Sequence, residues 1–175
     1  EEQEDRFSGE VEMSPRAVRS LDTSIPNLSS IMLLAEAHGK RVLLTGDGGS
    51  DDIEEGLQQA GLLASGGTLH VDVLKLPHHG SKRNVTAGFL QRVTADIYVV
   101  SASGYHGHPS LDTLRSIVTA AHDQGRRIDI VATNSTSSVR TLLETYDPED
   151  YGYDLTLMSP HTHQHVLHIG PPSPG

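Results

Sequence analysis

The sequence predicts an α/β fold, with strands and helices alternating through one layered domain. Three observations carry this reading. Apolar runs of six or seven residues fall at 41–46, 70–76, 96–102 and 127–132. Between several of them, apolar residues recur every three or four positions, the helical period, notably at 50–61, 110–123 and 137–146. Finally, 175 residues suffice for one substantial core but not for two.

The elements follow in order. The first 28 residues are polar, lack a period and contain Pro15 and Pro26, so they read as an arm or connector, with a short strand near 10–13 at most. The runs SSIMLLAEA (29–37) and RVLLTG (41–46) flank His38, Gly39 and Lys40, and so tight a glycine-containing connection predicts a β-hairpin. Ser50 suits the cap of a helix. Asp51, Asp52, Glu54 and Glu55 crowd its first turn, where the helix dipole favours negative charge, and Gly61 suits its stop. The strand HVDVLKL (70–76) stops at Pro77, a short helix covers 86–93, and DIYVVSA (96–102) is a strongly apolar strand. Ser110 caps a helix to about Asp123 that gathers Leu111, Leu114, Ile117, Val118 and Ala121 on one face. A strand over 127–132, a helix over 137–146 and a weaker hairpin candidate over 153–169, interrupted by Pro160, complete a domain spanning 29–170, with 171–175 a flexible tail. Helices of this number and spacing are expected to cover the faces of the sheet.

Composition narrows the function classes. Aromatic residues make up 4%, with no Trp and two Phe, so the core must be built from Leu, Val, Ile and Ala. No stretch approaches the roughly 18 apolar residues of a membrane helix. The acidic opening EEQEDRF is the opposite of a signal peptide, which makes the cytoplasm the expected compartment. The missing initial Met suggests a piece of something longer. The absence of Cys excludes disulfides, cysteine–zinc sites, iron–sulfur clusters and thiol nucleophiles. A net charge of −10 disfavours nucleic acid as a partner, while leaving room for a local basic rim. The oddity is eleven histidines, eight of them in three short clusters.

Two of those clusters fall where a strand ends. Asp47 follows RVLLTG, His78 and His79 follow HVDVLKLP, and His106 and His108 follow DIYVVSA. Successive α/β strands tend to bring their carboxyl ends to one sheet edge, where ligands bind in such folds. Each residue alone has an ordinary explanation: Asp before Gly closes turns, paired histidines occur on surfaces, and His108 before Pro109 shapes a loop. Together, an Asp and several imidazoles on three strand ends form a sound donor set for zinc, manganese or iron. The third cluster also contains His168, and its His161, His163 and His165 fit a polar outward strand face better than a native site. His38, alone in its turn, reads as solvent-facing.

The segments TGD (45–47), LKLPHHGS (74–81) and GHPS (107–110) resemble the second half of a metallo-β-lactamase-fold hydrolase. The similarity extends over roughly 28–143, including TNST (133–136), and is to the branch of DNA-uptake competence proteins and phosphorylcholine-esterase-like enzymes. The resemblance implies the C-terminal half of an αββα sandwich with a dinuclear centre, zinc or manganese, whose metal-bound hydroxide attacks a phosphoester or phosphodiester. It implies metal ligation by Asp47, as the bridging carboxylate, and by His108. His78 and His79 match a pair that either ligates a metal, for which His79 is the candidate, or serves catalysis at the substrate. Ser81, Lys82 and Arg83 would hold a small anionic substrate.

The family's HxHxDH-like run, expected before Asp47, is absent. The site in this chain alone is therefore expected to be incomplete, and activity to require the half that bears the run. A half-sandwich leaves a sheet face uncovered, so the expected partner is that N-terminal half or a second copy. The alternative is a non-catalytic interaction module that keeps the fold without the chemistry.

Overall fold

The computed structural model describes residues 29–159, 161–162 and 164–170; the expected arm over 1–28, its short strand and the tail over 171–175 lie outside the described residues. A six-stranded sheet runs in strict chain order, from β1 (Leu33–Ala37) and β2 (Lys40–Leu44) through β3 (Leu69–Lys75), β4 (Val93–Val100) and β5 (Ile128–Ala132) to β6 (Tyr153–Leu157). β1 and β2 form the expected hairpin, closed by the Ala37–Lys40 pair around His38 and Gly39. Both turn residues have positive φ, 52° and 74°, which matches the twist of the flanking strands. Every later pairing is parallel.

Helices fill the crossovers: α1 (Ser50–Gln59), α2 (Ala87–Arg92), α3 (Leu111–Asp123), and the successive α4 (Ser137–Thr145) and α5 (Pro148–Tyr151). Ser110 caps α3 as expected, its side chain accepting from Thr113 N, and Thr86 and Thr136 do the same for α2 and α4. Ser50 does not cap α1. Gly49 takes the cap position, and the Ser50 hydroxyl instead donates to Asn84 O at 2.7 Å and accepts from Thr86 N at 3.1 Å. That long-range tie fastens the start of α1 to the loop after β3.

Sequential strand order with right-handed crossovers puts all crossover helices on one face of the sheet. The core agrees. Ile53, Leu57, Phe89, Leu114, Ile117, Val118, Val139 and Leu142 join Leu43, Val71, Leu74, Tyr98, Ile130 and Tyr153 in one buried cluster. The expectation that helices cover both faces is thus corrected among the described residues. The opposite face carries Leu33, Ala35, Val42, Leu44, Val73, Ile97 and Val99, aligned by register across β1 to β4. Leu33 and Leu44 there are 53% and 42% exposed.

The second arm of the hairpin expected over 153–169 is also absent among the described residues. β6 pairs with β5 as the sheet's last strand, and the described part of 161–170 forms no strand. The shared strand face imagined for His161, His163 and His165 therefore lacks its strand, and His163 lies outside the described residues. No helix among the described residues is long and apolar enough to cross a membrane.

Candidate functional site

Because β2, β3, β4 and β5 are parallel, the loops that follow them emerge at one edge of the sheet. Hydrogen bonds stitch these loops together. Gly46 O, after β2, accepts from His78 N at 3.1 Å and from Lys75 Nζ at 3.0 Å. Thr45 Oγ1 donates back to Lys75 O at 2.6 Å. Gly80 O accepts from Ser110 N at 3.0 Å, which ties the loop after β3 to the start of α3. Asn134 Nδ2, after β5, donates to Ala102 O at 2.8 Å. The candidate residues are thereby held on a braced rim rather than on free loops.

The local backbone is strained where the histidines sit. His78, His79 and His106 have φ of 43°, 57° and 56°, in the left-handed region that β-carbon-bearing residues rarely occupy. Each such residue costs on the order of 1–3 kcal/mol and persists only where its surroundings enforce it. Gly80, at φ 78°, lets the chain turn back against Pro109; a β-carbon there would lie 2.8 Å from Pro109 Cβ.

The rings meet as a cluster. His78 lies edge-on to His108 with centroids 5.6 Å apart, and 6.0 Å from His79. His79 Nδ1 lies 2.6 Å from Ser101 O. A carbonyl only accepts, so Nδ1 bears the proton and Nε2 of the neutral ring keeps its lone pair for a metal or a proton. His108 is half-buried, with Nδ1 enclosed and unpartnered among the described residues. Burial first, then the neighbouring His78, His79, His106 and Arg83, hold its pKa below the usual histidine value, so it is neutral at pH 7.

Two clefts open beside this cluster and share His78, His106 and His108 as walls. The first, about 570 Å³, is otherwise lined by His79, Ser101, Ala102, Ser103, Tyr105, Thr133 and Asn134. The second, about 640 Å³, is bounded by Ser81, Lys82, Arg83, Ser110 and Asp112. Lys82 and Arg83 are exposed, with Lys82 Nζ 3.4 Å from Asp112 Oδ2, while Ser81 is buried and its hydroxyl accepts from Arg83 N at 3.3 Å.

Asp47 stands apart. It is half-buried beside the loop after β3, where Asn84 Nδ2 donates to its main-chain oxygen at 3.3 Å, and it lines neither cleft. Its carboxylate lies within electrostatic reach of Lys75. Burial lowers the Lys75 pKa, and the Asp47 carboxylate works in the opposite direction. Among the described residues, no three His, Asp or Glu side chains converge closely enough to hold a metal ion. The donors suit a divalent ion in kind, as neutral imidazoles with one enclosed free nitrogen and a carboxylate, but they are too few for a closed shell.

Sequence reasoning missed Lys75, Asn84, Tyr105 and the polar wall from Ser101 to Ser103. Lys75 lies inside LKLPHHGS and Tyr105 only three residues before His108, so adjacency to the motifs was the available signal. Comparisons with protein-family models, with curated proteins and with solved structures returned no match.

Proposed function

We propose that this chain is the C-terminal half of a metallo-β-lactamase-type αββα sandwich and contributes part of the active site of a metal-dependent phosphoester or phosphodiester hydrolase. The observation that carries the reading is the convergence of His78, His79 and His108 on one braced rim between two clefts, at the carboxyl ends of parallel strands. The fold-level reading draws on the apolar face of β1 to β4 that the described helices do not cover, where Leu33 and Leu44 stand exposed and against which a second sheet would pack. The partner is the half bearing the HxHxDH run, or a second copy.

Asp47, His79 and His108 would hold zinc or manganese together with ligands from that partner. A divalent ion in such a site supplies Lewis-acid polarisation and a nucleophilic water at neutral pH. This chain's residues do the rest. Ser101 O fixes the His79 tautomer, burial keeps His108 neutral, and Lys75 orders the loop of Asp47 through Gly46 O. His78, which borders both clefts, faces the substrate, and Lys82 and Arg83 receive its negative charge.

The test is hydrolysis of bis(4-nitrophenyl) phosphate by this chain combined with the half that bears the HxHxDH run, with zinc or manganese present. The reading expects metal-dependent turnover that falls at least a hundredfold in Asp47→Ala and in His108→Ala. Turnover indifferent to both variants would overturn it, and retention of biological activity by both would favour the interaction-module reading.

A further inference from the structure

The two clefts differ in chemistry, and that difference describes a substrate. We infer that the substrate is a phosphodiester whose phosphoryl group sits at the His78/His108 pair, with an anionic arm in the second cleft and an uncharged, flat-ring arm in the first. The inference deepens the hydrolase reading and rests on it.

The charges lie on one side. Lys82 and Arg83 line only the second cleft, and Arg83 is close enough to act on His108 electrostatically. Asp112 offsets part of the Lys82 charge at 3.4 Å, so Arg83 is the principal anchor for an anion.

Among the described residues, the first cleft has no Lys, Arg, Asp or Glu on its wall. It offers Tyr105 instead, a large ring 75% exposed, whereas Tyr98, Tyr153 and Phe89 are fully buried. The Tyr105 ring meets His106 edge-on at 4.2 Å, which steadies it without covering it. Gly104, at φ 86°, and His106, at φ 56°, hold this aromatic step at the lip of the cleft. Beside it Asn134 uses its amide nitrogen on Ala102 O and Thr133 Oγ1, which leaves its carbonyl oxygen as an acceptor for a ring N–H. An exposed ring with a neutral polar wall suits a flat heterocycle or aryl group, and it gives a charged arm nothing to pair with.

Calorimetric titration with phenyl phosphate and with methyl phosphate, without added metal, tests this. Phenyl phosphate is expected to bind about fivefold or more tightly than methyl phosphate, the low end of what ring stacking contributes. Tyr105→Ala should abolish that advantage without changing methyl phosphate binding, Tyr105→Phe should keep it, and Arg83→Ala should weaken both ligands by the same factor. If both phosphates bind equally, or the phenyl advantage survives Tyr105→Ala, the two-arm inference fails while the phosphoester reading stands. If neither phosphate binds, the two-arm inference fails as well, while the hydrolase reading stands or falls with the assay of the combined halves.

Discussion

Replacing Gly80 with Ala tests how firmly the histidine loop is pressed against the segment carrying His108. Two penalties apply. Gly80 has φ +78°, and a side chain in the left-handed region costs about 1–2 kcal/mol. Its β-carbon would also lie 2.8 Å from Pro109 Cβ and 3.3 Å from Pro109 Cα, and the latter is backbone that cannot swing aside. Overpacking of this kind adds about 1–3 kcal/mol, for a total of about 2–5 kcal/mol. Gly39→Ala and Gly107→Ala isolate the contact. Their φ values, +74° and +72°, are similar, but a β-carbon at either meets nothing within 4 Å, so each should cost only the backbone penalty. Urea unfolding of the three variants gives the comparison directly. Gly80→Ala should also displace the side-chain NMR signals of His78 and His108, which Gly39→Ala should leave in place. Equal destabilisation by all three would refute the claim that Gly80 is fixed by its packing on Pro109.

Other consequences are as concrete. Ser50→Ala removes both the donor to Asn84 O and the acceptor of Thr86 N in a buried position, and should cost about 1–3 kcal/mol in the same unfolding assay. Asp72 on β3 and Asp129 on β5 should respond to pH with opposite signs. Burial pushes the Asp72 pKa up, but the bonds from Lys40 and from Arg41 N outweigh it and leave the value lowered. Its stabilising effect is therefore present above the usual value of 3.8 and lost as pH falls through the folded value, so Asp72→Asn should destabilise at pH 7 and not in acid. Burial and the neighbouring Asp154 raise the Asp129 pKa, so its favourable contribution is confined to low pH and lost as pH rises through the folded value. Asp129→Asn should thus stabilise the chain at pH 7, with the gain vanishing in acid, as thermal unfolding at several pH values would record.

Much of the fold was legible because its signals are local. The hairpin turn at His38 and Gly39, the Ser110 cap and the apolar stripe of α3 each need only a few neighbouring residues to declare themselves. The sidedness of the sheet was not legible from the alternation of strands and helices, and only the family resemblance pointed to an uncovered face. That sidedness follows from strictly sequential strand order, which no short window contains. Ser50 looked like a cap because Ser before an acidic turn commonly is one; a tertiary bond to Asn84, 34 residues away, claimed the hydroxyl instead. At the site, the ends of β2, β3 and β4 came together as the motifs implied. Asp47 did not join the imidazoles in a three-ligand cluster among the described residues, and Lys75, which reads as an ordinary strand residue, lies within electrostatic reach of it. Tyr105 gave no sign of its exposure in a chain short of aromatics, where a ring is expected inside.

Zinc titration of this chain combined with the half that bears the HxHxDH run, against the same pair carrying Asp47→Ala, His108→Ala or a truncation at Ser159, bears most directly on the claim that these strand-end loops hold part of a metal site. The account predicts zinc binding that weakens at least tenfold in Asp47→Ala and in His108→Ala and is unchanged by removing His161, His163 and His165. Binding lost only on truncation, or equal in all forms, would contradict it.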